Sequence, residues 1–201
     1  MKERIKGGRK GPYLFQDEPI RISQLKDVKE LAAGTNHVLA LTDNGNVYAW
    51  GSGHQAELGR RIVARHEGEA LVPRPVGLPK NRITKIFAGF NHSFAIDNQG
   101  LVWSWGLNNF GQTGLASNDD NLHVGSPAVV DELRNYRIRQ IGAGFHHTLA
   151  CTEDGEVLAW GRCDDAQIGV DTSSIPAEHM LYDSRNRARI LSVPTKVPGA
   201  L

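Results

Sequence analysis

The chain has 201 residues, with 23 basic and 22 acidic side chains and a formal net charge of +1. That length can bury a core as one or two domains, and that balance excludes a whole-molecule attraction to nucleic acid or to a membrane surface. No apolar run reaches membrane-spanning length, no apolar stretch follows the basic start as in a secretory signal, and Cys151 and Cys163 show neither metal spacing nor a paired framework, so reduced thiols of a cytosolic or nuclear protein are expected.

The chain opens with "MKERIKGGRKG", five basic residues and one acid. Charge runs with glycine seldom fold alone, so residues 1–18 read as a basic loop or a disordered start. From Pro19 onward the sequence repeats itself. His37, His92 and His147 are 55 residues apart. Trp50, Trp105 and Trp160 keep that step, as do Gly34, Gly89 and Gly144, and Gly59, Gly114 and Gly169. So many positions held in phase are the mark of a repeat architecture. The units run over about 19–72, 73–126 and 127–193, followed by a lone strand at 194–197.

Each unit predicts four short strands. The first is a Pro-x-x-Val pattern at Pro73–Val76, Pro127–Val130 and Pro194–Val197, with Pro19–Ile22 as an earlier copy. Proline suits a strand start or a sheet's outer edge, where its missing N–H is not needed. The second strand is "VKELAAG", "ITKIFAG" or "IRQIGAG", the third starts at the repeated histidine, and the fourth ends at Trp-Gly. In the third strand His37, Leu39 and Leu41 share one face, while Val38 and Ala40 make a small second face. A strand apolar on both sides is covered on both sides. Gly45, Gly100 and Gly155 sit where a tight hairpin needs positive φ. Like units of four antiparallel strands, stacked face to face, follow the logic of a β-propeller blade.

The pattern AGxxHxxAL…DGxVxxWGxxxxxQxG resembles the RCC1 repeat. The period is too long for WD40 repeats, and no paired glycines precede the hairpins as in kelch repeats. The resemblance covers residue 19 to the end. It implies an all-β propeller of about three four-stranded blades plus one strand, an incomplete arc of the family's seven-bladed ring. On that count the chain is expected to be a truncation or half of an assembly, and residues 1–18 to be an inter-blade loop. Open blade edges would then invite self-association. Departures are small: Glu57 stands where Gln112 and Gln167 hold the late glutamine, and Ala56 and Ala166 replace the glycine seen at Gly111.

Strand direction puts the turns before each histidine and the long loops after Trp-Gly on one face, with the hairpins on the other. Binding residues favour the loop-rich face of a rigid scaffold. Positions identical in all units serve the fold: His37, His92 and His147 read as hydrogen-bonded structural imidazoles rather than metal ligands, and Trp50, Trp105 and Trp160 as core. Positions that change between units are better site candidates. These are Asn36, Asn91 and His146, just before the histidines, and His54, Gln55, Arg60, Arg61, Asn108, Asn109, Arg162, Asp164 and Asp165 after Trp-Gly. For most of these the ordinary reading, turn capping and solvated loops, competes.

Within the family, "GSGHQAELGRR…VPRPVGL", "WSWGLNNFGQTG" and "GFHHTLACTEDG" resemble the branch of guanine-nucleotide exchange factors for the small GTPase Ran. The resemblance implies a Ran-type GTPase as partner, docked at Asn36, Arg60, Asn91, Asn109 and His146, and a nuclear, also cytoplasmic, location. It implies no cofactor, no metal and no membrane. Chromatin contact would use regions outside this chain, and the family's wedge against the GTPase would end just before Met1, so weak exchange is expected from this chain alone. The competing reading is a non-catalytic RCC1-type interaction scaffold. An enzyme with covalent chemistry is not expected, because no nucleophile–base pair, metal cluster or phosphate-cradling loop is visible. The segment "VDTSSIPAEHMLYDSRNRARI" is read as an excursion lengthening the last loop.

Overall fold

The computed structural model describes residues 19, 21–60, 62, 70–115 and 122–197. The expectation for residues 1–18 and the candidate Arg61 lie outside the described residues, and the Pro19–Ile22 copy is described only in part.

Three antiparallel sheets follow one another along the chain. The first holds β1 (Val28–Ala33), β2 (His37–Thr42), β3 (Val47–Gly51) and β4 (Arg74–Pro75), in that spatial order. The second holds β5 (Ile83–Ala88), β6 (His92–Asp97), β7 (Val102–Leu107) and β8 (His123–Val129). The third holds β9 (Ile138–Ala143), β10 (His147–Thr152), β11 (Val157–Arg162), β12 (Met180–Tyr182) and β13 (Ala188–Lys196), ordered β9-β10-β11-β13-β12. The chain is thus all-β, three propeller blades in an arc that does not close. No helix of the described residues is long and apolar enough to cross a membrane.

Two expectations about strands are corrected. The prolyl strand does not begin its own blade. Pro75 pairs with Tyr48, and Thr195 with Ala159, so each prolyl strand joins the Trp-Gly strand preceding it, outermost in the first two sheets and flanked in the third by β12, which pairs only with residues 188–191. Proline's missing N–H explains the placement, since an outer strand can leave that side unpaired. Sheets and sequence units are therefore offset by one strand, and residues 194–196 belong to the nine-residue strand β13 rather than to a lone strand. The segment after Gly169 is also no mere loop. It makes two 3-10 turns, Thr172–Ser174 and Ala177–His179, and then β12, which pairs with β13 as a fifth strand.

Each blade is built the same way in detail. The register slips between Val28 and Glu30, between Ile83 and Lys85, and between the partners of Ile138 and Gln140, so one β-bulge recurs in all three blades. The hairpin glycines Gly45, Gly100 and Gly155 take φ of 77°, 81° and 85°. Gly34, Gly89 and Gly144 answer a different need. A Cβ on them would lie 2.2, 2.4 and 2.3 Å from Cε1 of His37, His92 and His147, because the imidazole folds back over the turn.

The core lies in the seams between blades. Leu39 and Leu41 of the first blade pack with Ile83, Ile86 and Trp105 of the second, and Phe94 and Ile96 of the second with Ile138, Ile141 and Trp160 of the third. A third cluster, Ile168, Ile175, Met180 and Leu191, packs the fifth-strand excursion against its own blade. Trp105 and Trp160 are fully buried, and their indole N–H groups donate to the carbonyls of Glu57 (2.7 Å) and Gln112 (2.9 Å) in the previous blade's loop. Trp50 is only half-buried, against the expectation for a core residue. It stands on the first blade's leading side, where Leu31 is 65% exposed although its counterpart Ile86 is 1% exposed.

Candidate functional site on the loop-rich face

The turns at 34–36, 89–91 and 144–146 and the segments after β3, β7 and β11 lie at one end of the blades. They are tied together by backbone. Ser52, Leu107 and Arg162 each donate an N–H to the carbonyl of Asn36, Asn91 and His146, at 2.6, 2.8 and 2.8 Å. The Trp-Gly glycine makes this approach: Gly51, Gly106 and Gly161 take φ of 114°, 105° and 96°, and a Cβ there would meet those carbonyl oxygens at 2.2–2.5 Å. Successive blades are linked the same way, with Thr35 N donating to Phe90 O at 3.2 Å and Phe90 N to Gly144 O at 3.0 Å. This face is therefore a rigid platform of loops.

The late Glu or Gln of each unit shapes the loop after Trp-Gly. Glu57, Gln112 and Gln167 accept the backbone N–H of Gln55, Phe110 and Asp165, each at 2.8 Å. The departure at Glu57 thus keeps the bond, because that contact needs only a carbonyl-type oxygen. Gln112 has an NH2 left over. It donates to Asn109 Oδ1 at 3.0 Å and contacts His146 Nδ1 at 3.4 Å. Two of the candidate residues, from different blades, are joined through one buried amide. As the acceptor in that contact, Nδ1 carries no proton, so a neutral His146 holds its proton on Nε2. Partial burial and the nearby Arg162 guanidinium lower the His146 pKa, which favours that neutral form.

The other candidates take their places on the same face without being drawn into one cluster. Asn36 is exposed and Asn91 half-buried, one blade apart, and Arg60 is half-buried after Gly59. Asn109 is exposed beside Phe110. Asn108 is instead buried and structural, accepting from Thr113 N–H and Thr113 O–H at 3.1 and 2.6 Å. Arg162 is fixed by Asp164 (2.5 Å) and Asp165 (3.1 Å), and the bond from Arg162 holds the Asp164 carboxyl below the usual range.

The repeated histidines serve the seams. His37 Nε2 lies 2.9 Å from Ser93 Oγ of the next blade, and Ser93 Oγ donates to the Glu57 carbonyl that also receives Trp105. His92, Thr148, Gln112 and Trp160 repeat that arrangement. Burial lowers the pKa of His37 to about 4 and, with neighbouring histidines adding to it, that of His92 to about 3, so both are neutral at physiological pH. Among the described residues no group of His, Cys, Asp and Glu could hold a metal ion.

An aromatic group escaped the sequence reading. Phe90 and Phe145 stack with centroids 3.6 Å apart, Phe145 meets the His146 ring edge-on at 4.5 Å, and Phe110 lies 4.7 Å from His146. Arg162 and Arg189 both stand over Phe110, at 5.5 and 5.4 Å. The signal was present in the repeat: one position reads Thr35, Phe90 and Phe145, and variation at a loop-face position marks it as free of the fold's demands.

Comparison with known proteins agrees with this architecture. The family model described as an RCC1-like domain matches residues 4–200. Protein pim1 of Schizosaccharomyces pombe is 44% identical over 90% of the chain and 33% of its own length. The guanine nucleotide exchange factor SRM1 of Saccharomyces cerevisiae is 37% identical over 85% of the chain and 35% of its own length. The crystal structure of Prp20p from Saccharomyces cerevisiae, described with its binding properties to Gsp1p and histones, superposes with a TM-score of 0.79 at 34% identity, covering 94% of this chain and 41% of that one. The chain thus spans about a third of the length of the curated relatives it matches.

Proposed function

Because the chain belongs to the RCC1-like domain family, we propose that its loop-rich face docks a Ran-type small GTPase, and that the chain forms part of a guanine-nucleotide exchange factor acting in the nucleus. The observation that carries this reading is the 37% identity, over 85% of the chain, to a relative named as a guanine nucleotide exchange factor. The docking residues are Asn36, Arg60, Asn91, Asn109 and His146. Arg60 meets a carboxylate, Asn91 and Asn109 bond backbone groups, and neutral His146 offers a donor at Nε2.

An exchange factor of this kind makes no covalent bond. It binds the nucleotide-free GTPase more tightly than the loaded one. By reciprocity, the factor by which nucleotide weakens its binding is the factor by which it weakens nucleotide binding. A rigid face suits this work, since it imposes one geometry on the partner rather than adapting to the loaded form. The test is capture of a Ran-type GTPase by the immobilised chain with and without EDTA. Preferential capture of the metal-stripped, nucleotide-free form supports exchange. Equal capture of both forms supports a non-catalytic scaffold, and capture of neither overturns the reading.

A further inference from the structure

The loop after each Trp-Gly needs only an acceptor from its late Glu or Gln. Glu57 holds the Gln55 N–H at the same 2.8 Å at which Gln112 holds that of Phe110. The NH2 of Gln112 is therefore surplus to the turn, yet it is fully committed. Gln112 is completely buried, and its two N–H groups face Asn109 Oδ1 at 3.0 Å and, in the next blade, His146 Nδ1 at 3.4 Å. The Phe110 backbone N–H can only donate, so it fixes which end of the amide is oxygen. A buried amide with every group placed is a rigid part.

The consequence reaches the surface. Asn109 is exposed and turns its carbonyl oxygen inward, which leaves its NH2 free among the described residues. His146 turns Nδ1 inward, and Nε2, the protonated nitrogen of its neutral ring, has no partner among the described residues. The charged and titratable groups around His146 are Arg162 and Asp165 in the pocket beside it and His147 next in sequence, with Asp164 bonded to Arg162. Among the described residues none of these bonds to either ring nitrogen, so Gln112 selects the tautomer.

We propose that Gln112 is a positioning residue for the docked GTPase: its NH2 holds Asn109 and His146 as hydrogen-bond donors, and the partner meets them with carbonyl or carboxylate oxygens. The proposal rests on the docking reading above and adds the residue that orients two of its contacts, with the chemistry they select. Acid opposes the arrangement, because a proton on Nδ1 sets donor against donor.

Gln112→Glu tests it. The variant keeps the loop bond as Glu57 does, and the seam staple uses the backbone carbonyl of residue 112, so the fold is retained, which a thermal melt verifies. The new carboxylate oxygen turns the Asn109 amide over and draws the His146 proton to Nδ1. Nitrogen-15 spectra of the full chain at pH 8 should show that proton on Nε2 in the parent and on Nδ1 in Gln112→Glu. The parent spectrum needs no variant. By calorimetry at pH 8, Gln112→Glu should bind EDTA-stripped Ran-type GTPase about tenfold more weakly than the parent. At pH 6 the gap should narrow, because a doubly protonated ring beside the carboxylate donates from Nε2 again, while the parent gains nothing. A parent ring protonated on Nδ1, parent-like affinity of the variant at pH 8, or a gap unchanged at pH 6 would overturn this inference while leaving the docking reading intact. Failure of the parent chain to bind would overturn both.

Discussion

His92 Nε2 lies 3.1 Å from Thr148 Oγ1, across the seam between the second and third blades. The Thr148 hydroxyl donates its proton to the Gln112 carbonyl at 2.8 Å, so it accepts from the imidazole, which holds its proton on Nε2. The same carbonyl receives the Trp160 N–H at 2.9 Å. Histidine, hydroxyl, carbonyl and indole thus close one staple per seam, and each member comes from the blade opposite to the one it bonds. This explains why histidine and tryptophan keep one register through the chain.

Thr148→Val should destabilise the chain by about 1–3 kcal/mol, because it leaves the buried His92 N–H without its acceptor. Val38 stands at the same position of the first blade, so shape alone is tolerated there. Urea unfolding of the variant and parent measures the difference. Equal midpoints and slopes would show that the staple adds nothing.

Stability should fall as pH drops below about 6.5, the value for an unfolded histidine. His37 and His92 are held neutral in the fold, at about 4 and about 3, so the unfolded chain takes up protons that the folded chain refuses. Their contribution is complete above pH 6.5 and lost progressively down to those folded values, on the order of several kcal/mol for the pair. Unfolding midpoints measured from pH 7.5 to 4.5 check this, and His92→Gln should flatten the profile.

The repeat made most of this legible in the sequence, and its limits are physical. Strand identity, the hairpin glycines and the structural role of the histidines followed from a fixed 55-residue step. Sheet membership did not, because Pro73–Val76 lies closer in sequence to the strand after it, which begins at Ile83, than to the Trp-Gly strand before it, which ends at Gly51. Only pairing decides, as in Tyr48↔Pro75. The strand β12 was hidden because "MLY" is too short to show alternation, and its partner β13 lies beyond a polar turn. At the candidate site, the position of Asn109 and His146 on one face was readable from strand direction. Their link through Gln112 was not, since it joins side chains 34 residues apart from different blades.

Ala56 and Ala166 stand where the second blade has Gly111, and all three take positive φ, at 63°, 56° and 68°. A side chain in that conformation costs about 1–2 kcal/mol, partly offset by the extra freedom glycine brings to the unfolded chain. Ala56→Gly and Ala166→Gly should therefore each stabilise by about 0.5–1 kcal/mol. Thermal denaturation of single and double variants tests this, and a lowered melting temperature would contradict it.

Gly89→Ala should destabilise by about 1–3 kcal/mol through overpacking. Its Cβ would sit 2.4 Å from His92 Cε1 and 2.8 Å from Ala143 Cβ. Gly142→Ala, whose Cβ meets nothing within 4 Å, is the control and should leave stability unchanged or slightly raised. Similar losses at both sites would mean that the folded-back imidazole is not what requires glycine.

The proposed docking puts the GTPase against the loop-rich end and not against the hairpin end. Hydrogen–deuterium exchange of the chain, alone and with nucleotide-free Ran-type GTPase, tests it most directly. New protection is expected at residues 34–36, 52–60, 89–91, 107–115 and 144–146, with the hairpins at 43–46, 98–101 and 153–156 unchanged. Protection centred on those hairpins, or absent from both ends, would contradict it.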